Sequence, residues 1–336
     1  GINYDDQIKF IDLSAALNFE YVLIDNWWDR NIGRERMAEL VRYARSKNVD
    51  VILWYNSNGS WNDAPQTPQD CMDTTPARRR EMAWLKAVGV KGIKVDFFGG
   101  DKQTTIKLYE DILTDANEYG ISVNFHGATL PRGWERMYPN HMTSEAALVS
   151  ENLIFPQYWT DKEAYSSTIL PFTRNAVCGM DFGPVFFNKR LSKDQKEGTI
   201  RKTTDAFQLA TMVIYQSATQ HLGVTPNNLN EQPSYVLDFL RMVPTVWDET
   251  RFIDGYPGKY FVIARRYGNK WYIAGSNAEE QPKKLTLSLP WLAGREISVI
   301  YDNKDRTAGF KTDTVNKKGQ LIIEMESLGG VTITTK

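Results

Sequence analysis

From residue 1 to about residue 240, short apolar runs alternate with longer stretches whose apolar residues recur every three to four positions. That rhythm predicts repeated β-α units around a parallel sheet. The short runs predict strands over residues 21–25 (YVLID), 51–55 (VILWY), 93–97 (IKVDF) and 121–125 (ISVNF), with fainter ones near 142–144, 175–180 and 218–222. Helices are predicted over 4–16, 34–46, 76–87, 102–119 and 193–215. In the fourth, Ile106, Tyr109, Ile112, Leu113 and Ala116 share one face, Asp101 stands at a capping position and Gly120 stands where a left-handed terminator belongs. Thr75 followed by Pro76 reads as an N-cap with proline in the first turn.

Seven strands with helices between them fall one short of a (β/α)8 TIM-type barrel, and the chain opens on a helix, so the first strand reads as missing. An open barrel would leave two exposed edges, which leads to the expectation that the natural protein is longer at its N-terminus. An open doubly wound sheet is the competing architecture. After about residue 245 the texture changes to closely spaced strands at 260–267, 270–275, 284–289, 297–301, 321–325 and 331–334, separated by turns such as Tyr267-Gly268-Asn269. The expected organisation is a catalytic β/α barrel at 1–244 and a C-terminal antiparallel β-sandwich at 245–336.

Composition narrows the ligand class. Lys and Arg number 40 against 41 Asp and Glu, a formal charge of −1, which gives no electrostatic case for nucleic acid. The 10 Trp and 16 Tyr supply flat amphipathic surfaces that suit core packing and, equally, stacking on sugar rings. Cys71 and Cys178 match no metal or redox spacing and are expected to be free thiols. No run approaches the roughly 18 apolar residues of a membrane span. The glycine-rich phosphate loops, HExxH and Gly-x-Ser-x-Gly are absent, which weakens nucleotide and zinc readings and counts against an α/β-hydrolase.

In a β/α barrel the C-terminal strand ends build the active site. The polar and aromatic residues there are Asp25, Asn26, Trp27 and Trp28, then Trp54 and Asn56, then Lys94 and Asp96, then Asn124 and His126. The next are Thr143, Ser144 and Glu145, with Glu151 six residues on, and finally Asp181 and His221. Lys94 and Asp96 lie two apart and so share one face of their strand. Such a pair serves as a structural ion pair in some proteins, but Gly99 and Gly100 just after it leave room for a ligand. Asp96, Glu145 and Glu151 together supply the pair of carboxyl groups that glycoside hydrolysis needs, whereas any one alone reads equally well as a solvated charge. His126 and His221 fit either a satisfied core imidazole or a hydrogen-bonding group for sugar hydroxyls.

The series KVDFFGGD, VNFHGATLPRGWERMYPNHMTSE and the SE at 150–151 resembles glycoside hydrolase family 97. The resemblance implies an N-terminal β-sandwich in the full-length protein, a β/α barrel and a C-terminal β-domain. It implies inverting α-glucosidases and retaining α-galactosidases as the two branches of activity. Gly127 stands where the inverting branch has a glutamate, and Asp96 stands where the retaining branch has its nucleophile. The resemblance therefore implies a retaining, exo-acting α-galactosidase that cleaves terminal α-galactosides by double displacement, with Asp96 as nucleophile and Glu151 as acid/base. Glu145 and Glu151 are implied as ligands of Ca2+, and Lys94, Asp25, Trp27, Asn124 and His126 as substrate contacts. An oligosaccharide or α-galactoside partner and a periplasmic or secreted bacterial location follow by family analogy. The alternatives are an inverting α-glucosidase of the same family and a non-catalytic carbohydrate-binding barrel.

Overall fold

The computed structural model describes residues 1–59 and 62–336. The chain divides into two compact units, Gly1–Ala146 and Ala147–Lys336.

The first unit is built on a parallel sheet in the order β1-β2-β3-β4-β5, comprising β1 (Tyr21–Ile24), β2 (Asp50–Asn56), β3 (Gly92–Asp96), β4 (Ser122–Phe125) and β5 (His141–Ser144). Helices Tyr4–Ala16, Arg34–Ser46, Thr75–Val88 and Gln103–Tyr119 precede or link the first four strands, and the short helix Trp134–Met137 precedes the fifth. Side-chain alternation sorts β2 and β3 into two faces. Val51, Leu53, Tyr55, Ile93 and Val95 join a core with Met37, Leu40, Met82, Leu85, Tyr109 and Ile112 of the helices. Burying each such aliphatic side chain contributes about 1.5–3 kcal/mol. Trp54, Asn56, Lys94 and Asp96, on the alternate positions, turn to the other face and are buried as well.

Local chemistry sets the helix ends. The Asn3 side chain accepts from the Asp6 amide at 2.9 Å, and Gly120, at φ +71°, ends Gln103–Tyr119 as expected. Asp101 does not cap that helix: Lys102 occupies the cap position without a side-chain bond. Likewise Thr74, not Thr75, stands at the cap of Thr75–Val88, since Pro76 fits inside the first turn as well as at its start. Arg78 and Asp115, buried and 2.6 Å apart, tie Thr75–Val88 to Gln103–Tyr119.

The second unit contains helices Gln157–Ile169, Asp205–Ile214 and Ser234–Met242, the two-residue antiparallel pair β6 (Arg190–Leu191) and β7 (Thr199–Ile200), and the C-terminal sheets. Three expectations fail here. Residues 175–180 and 218–222 form no strand: 175–177 lie in the short helix Arg174–Val177, and side chains take carbonyls that a ladder would use. Asn175 Nδ2 donates to Cys178 O at 3.1 Å, Arg174 Nη2 to Gly179 O at 2.9 Å, Thr245 Oγ1 to Ala218 O at 3.1 Å and Ser217 Oγ to Thr219 O at 2.5 Å. The helix expected over 193–215 is only Asp205–Ile214, because Asp194 turns its own segment by accepting from Lys196 N and Gly198 takes φ +80°. The parallel sheet therefore has five strands among the described residues.

Beyond residue 245 the antiparallel reading holds. A six-stranded sheet runs β13-β12-β15-β10-β9-β8, and β11 (Lys283–Ser288) pairs β14 (Gln320–Met325). Its members are β8 (Glu249–Tyr256), β9 (Tyr260–Tyr267), β10 (Lys270–Asn277), β12 (Glu296–Asp302), β13 (Ala308–Thr314) and β15 (Gly330–Thr335). The strands β8 and β13, both at sheet edges, had no sequence signal strong enough to be expected. Their alternation is broken by charge, as in Glu249, Arg251 and Asp254 or Lys311 and Asp313. Buried Arg265 of β9 donates to Val213 O at 2.7 Å and Ile214 O at 2.9 Å, capping the end of Asp205–Ile214. Cys71 and Cys178 are free thiols, and no described helix is long and apolar enough to cross a membrane.

Asp302, at the end of β12, accepts from Glu326 N at 2.9 Å and Gly330 N at 2.8 Å. Burial nevertheless outweighs these bonds and raises its carboxyl from 3.8 to about 6. A carboxyl raised on folding contributes stability that is complete below its unfolded pKa and lost as the pH rises through the folded value. Asp302→Asn should remove that dependence. Urea unfolding between pH 4 and 7 should show the native chain losing on the order of 2–3 kcal/mol more than the variant over that range.

Candidate active site

The ends of β1–β4 set the frame. Across the sheet Trp54 pairs with Lys94, Lys94 with Asn124 and Asn124 with Thr143, and one step further Asn56 pairs with Asp96. Partners in adjacent parallel strands point to the same face, so these polar side chains form two rows on the face away from the helices. All are buried.

Lys94 is the centre of charge. Its ammonium lies 3.1 Å from Asp25 Oδ2 and 4.0 Å from Asp96 Oδ2, with its side chain 6% exposed. Asp25, just past β1, also accepts from the amide and side chain of Asn26 at 2.7 and 2.8 Å. Burial pushes the Asp25 carboxyl upward, but the charge of Lys94 and the Asn26 and Lys94 hydrogen bonds outweigh it, and the net pKa is lowered.

Asp96 closes β3. Its Oδ2 accepts from the indole Nε1 of Trp54 at 3.1 Å, and its Oδ1 from the amide of Phe97 at 2.8 Å. Phe97 takes φ +67°, a strained conformation for a non-glycine residue, and its ring stands edge-on to Trp54 with centroids 5.7 Å apart. Beside this carboxylate lies exposed Gly127. A Cβ there would sit 2.8 Å from Asp96 Oδ1 and 2.7 Å from Phe97 N, and Gly127 itself has φ +49°. Glycine is thus the residue that lets the carboxylate keep its place.

His126 and Glu145 meet on the same side of the first unit, with Nδ1 3.7 Å from Oε2. Glu145 Oε2 also accepts from Gly127 N at 3.0 Å, and its own amide donates to Phe125 O at 2.8 Å, so β4 fixes both ends of the residue. Trp27, half-buried at φ +67°, donates its amide to Thr67 O at 2.7 Å and carries the Arg30 guanidinium over its ring at 5.1 Å. Asp25, Lys94, Asp96, Asn124, His126 and Glu145 therefore all belong to the first unit.

Glu151 belongs to the second unit. It is exposed on the 3-10 helix Ser150–Ile154, whose neighbouring Ser150 is buried. In the same unit His221 Nδ1 lies 2.6 Å from buried Asp181 Oδ2. The partners that sequence reasoning did not assign are the Trp54 indole and the Phe97 amide. The two-residue step from Trp54 to Asn56, on one face of β2, was their only signal.

Comparison with known proteins places the chain. The family model described as Glycoside hydrolase 97 matches residues 1–147, and that described as Glycosyl-hydrolase 97 C-terminal, oligomerisation, matches 246–336. A probable retaining alpha-galactosidase of Streptomyces bingchenggensis is 31% identical over 324 residues, covering 91% of this chain and 46% of the relative. A retaining alpha-galactosidase of Bacteroides thetaiotaomicron is 30% identical over 291 residues, covering 82% and 41%. The crystal structure of a beta-arabinopyranosidase superposes with a TM-score of 0.97 at 52% identity, covering 99% of this chain and 53% of that one. The chain thus spans about half the length of these relatives.

Lys94→Met keeps the apolar stem and removes the charge. Because Asp25 is lowered on folding, it contributes stability present above its ordinary value of 3.8 and lost as the pH falls through the folded value. The substitution should move the Asp25 carboxyl upward and abolish that contribution. A carbon-13 NMR titration of the aspartate carboxyls reads the shift directly; an unmoved Asp25 would contradict the role given to Lys94.

Proposed function

The chain belongs to glycoside hydrolase family 97, and on that premise we propose that it carries the catalytic residues of a retaining, exo-acting α-galactosidase. The observation that carries this reading is Asp96: a buried carboxylate held by two N–H donors beside an ammonium, with a glycine left clear next to it. The two curated relatives named as retaining alpha-galactosidases support the same branch. We read the five parallel strands as part of a (β/α)8 barrel, the setting in which strand-end residues such as Asp25, Lys94 and Asp96 converge on one mouth.

The reaction is a double displacement. A carboxylate oxygen of Asp96 attacks the anomeric carbon as the bond to the leaving oxygen breaks, and that oxygen takes the proton of Glu151. Water then gives its proton to Glu151 and its oxygen to the anomeric carbon, the ester to Asp96 breaks, and the sugar leaves with its configuration retained. The reaction requires the two carboxyl groups about 5–5.5 Å apart. The Lys94 ammonium and the Trp54 and Phe97 N–H groups stabilise the charge on Asp96 before attack and after release. Lys94, Asp25, Trp27, Asn124 and His126 are the proposed contacts to sugar hydroxyls and the ring face. An inverting route is disfavoured by Gly127, since a side chain there would press on Asp96 Oδ1.

We take Glu145 and Glu151 as calcium ligands: both carboxylates are hard oxygen donors and fit that ion, whereas the imidazole of His126 is not a usual calcium donor. Bound calcium would supply positive charge near the acid/base carboxyl.

A second reading concerns the sugar alone. An α-D-galactopyranoside and a β-L-arabinopyranoside share ring and hydroxyl configuration and differ in the hydroxymethyl group at C5, and the 52% identical structure is a beta-arabinopyranosidase.

Proton NMR of the first-formed product from an aryl α-galactoside should show the α-anomer before mutarotation; β first would mean inversion. Aryl α-galactoside should be the faster substrate by kcat/KM, and a preference for the aryl β-L-arabinopyranoside would establish the second reading. For the metal, calcium should raise the melting temperature of the native protein through preferential binding to the folded state. Glu145→Gln should lose that rise, and an equal rise in the variant would remove Glu145 from the site.

A further inference from the structure

The 3-10 helix that carries Glu151 is five residues long, and such helices have little stability of their own. Bonds to the rest of the second unit hold it at two points. At its start the Ser150 amide donates to Phe182 O at 3.1 Å, and the Ser150 hydroxyl shares its proton between Phe182 O at 2.8 Å and Gly183 O. Further along, Leu153 O accepts from the hydroxyls of Thr160 at 2.9 Å and Thr199 at 2.5 Å.

The acceptor segment is itself rigid. Phe182 stacks on Tyr215 with centroids 4.0 Å apart, and the Tyr215 hydroxyl is anchored on Ser167 O at 2.6 Å. Gly183 is shaped to the serine: at φ +70°, a Cβ there would lie 2.6 Å from Ser150 Oγ. Behind the segment lies a small cavity of about 20 Å³, room for about one water, bordered by Val149, Ser150, Leu153, Glu163, Ser167 and Phe182. The backbone there has space to shift once the hydroxyl is removed.

We propose that Ser150 is a positioning residue that fixes the carboxyl group of Glu151 by clamping its segment to the carbonyls of Phe182 and Gly183. The inference rests on the reading of Glu151 as acid/base. Protonation of the leaving oxygen is sensitive to placement, and an error of about 1 Å costs about a hundredfold. In the first step, which kcat/KM reads, that cost falls only on substrates whose leaving group needs a proton; the second step uses Glu151 for every substrate and does not enter kcat/KM.

The test uses the whole protein, its Ser150→Ala variant, and glycosides whose leaving groups run from dinitrophenolate, which departs unprotonated, to phenolate and simple alkoxides. Ser150→Ala should lose about ten- to a hundredfold in kcat/KM on phenyl and alkyl glycosides and less than about threefold in kcat/KM on the dinitrophenyl glycoside. Loss of equal size on every leaving group would overturn the proposal, because a merely structural defect has no such selectivity. Glu151→Gln, run alongside, separates the two inferences: if it too loses rate evenly, the acid/base reading of Glu151 falls. A crystal structure of Ser150→Ala gives a readout independent of turnover. Residues 150–154 should move relative to Phe182, and a segment that superposes unchanged would refute the clamp whatever the kinetics show.

Discussion

One buried ammonium between two carboxylates sets the terms for the first unit. Taking Lys94 out of water costs several kcal/mol, and its attraction to Asp25 and Asp96 works against that cost. Such an arrangement is weak evidence of a stabilising device and a reasonable way to keep negative charge in a buried place. Asp25 shows the balance directly: burial pushes its carboxyl up, and Lys94 and the Asn26 donors bring it below the ordinary value. Asp96 has the same ammonium at 4.0 Å together with two N–H donors, at the last position of β3.

The features around Asp96 follow from holding that buried carboxylate in place. Phe97 adopts a strained backbone to present its amide, Trp54 turns its indole edge rather than its face, and Gly127 carries nothing that would cover Oδ1. Strain of this kind persists where the surrounding structure over-determines it. Here the determinants are the β2–β3 register and the bond from Phe98 N to Gly127 O at 3.1 Å. In the second unit an analogous logic operates on a smaller scale, with Ser150 buried so that Glu151 can be exposed and still held.

Much of this was legible in the chain because it is local. Runs such as VILWY and IKVDF declare strands through β-branched and aromatic residues, and the two-residue step from Lys94 to Asp96 places both on one face. Gly120 announces a helix end through its backbone freedom alone. What escaped reading depends on partners distant in sequence. Trp54 finds Asp96 only through strand register, and residues 175–180 and 218–222 look like strands in composition. They are held instead by Asn175, Arg174, Thr245 and Ser217, whose side chains take carbonyls that a ladder would have used. The apolar stretch at 205–214 was extended back to 193 because periodicity carries no information about Asp194 and Gly198 turning the chain.

The claim beneath the rest is that Asp96 forms a covalent bond to the sugar. An activated fluorosugar of the α-galactosyl series, incubated with the whole protein and followed by proteolysis and peptide mass spectrometry, tests it most directly. The account predicts a single glycosyl adduct whose fragmentation places it on Asp96. An adduct on another carboxylate, or steady turnover through an inverted product with no adduct, would contradict it.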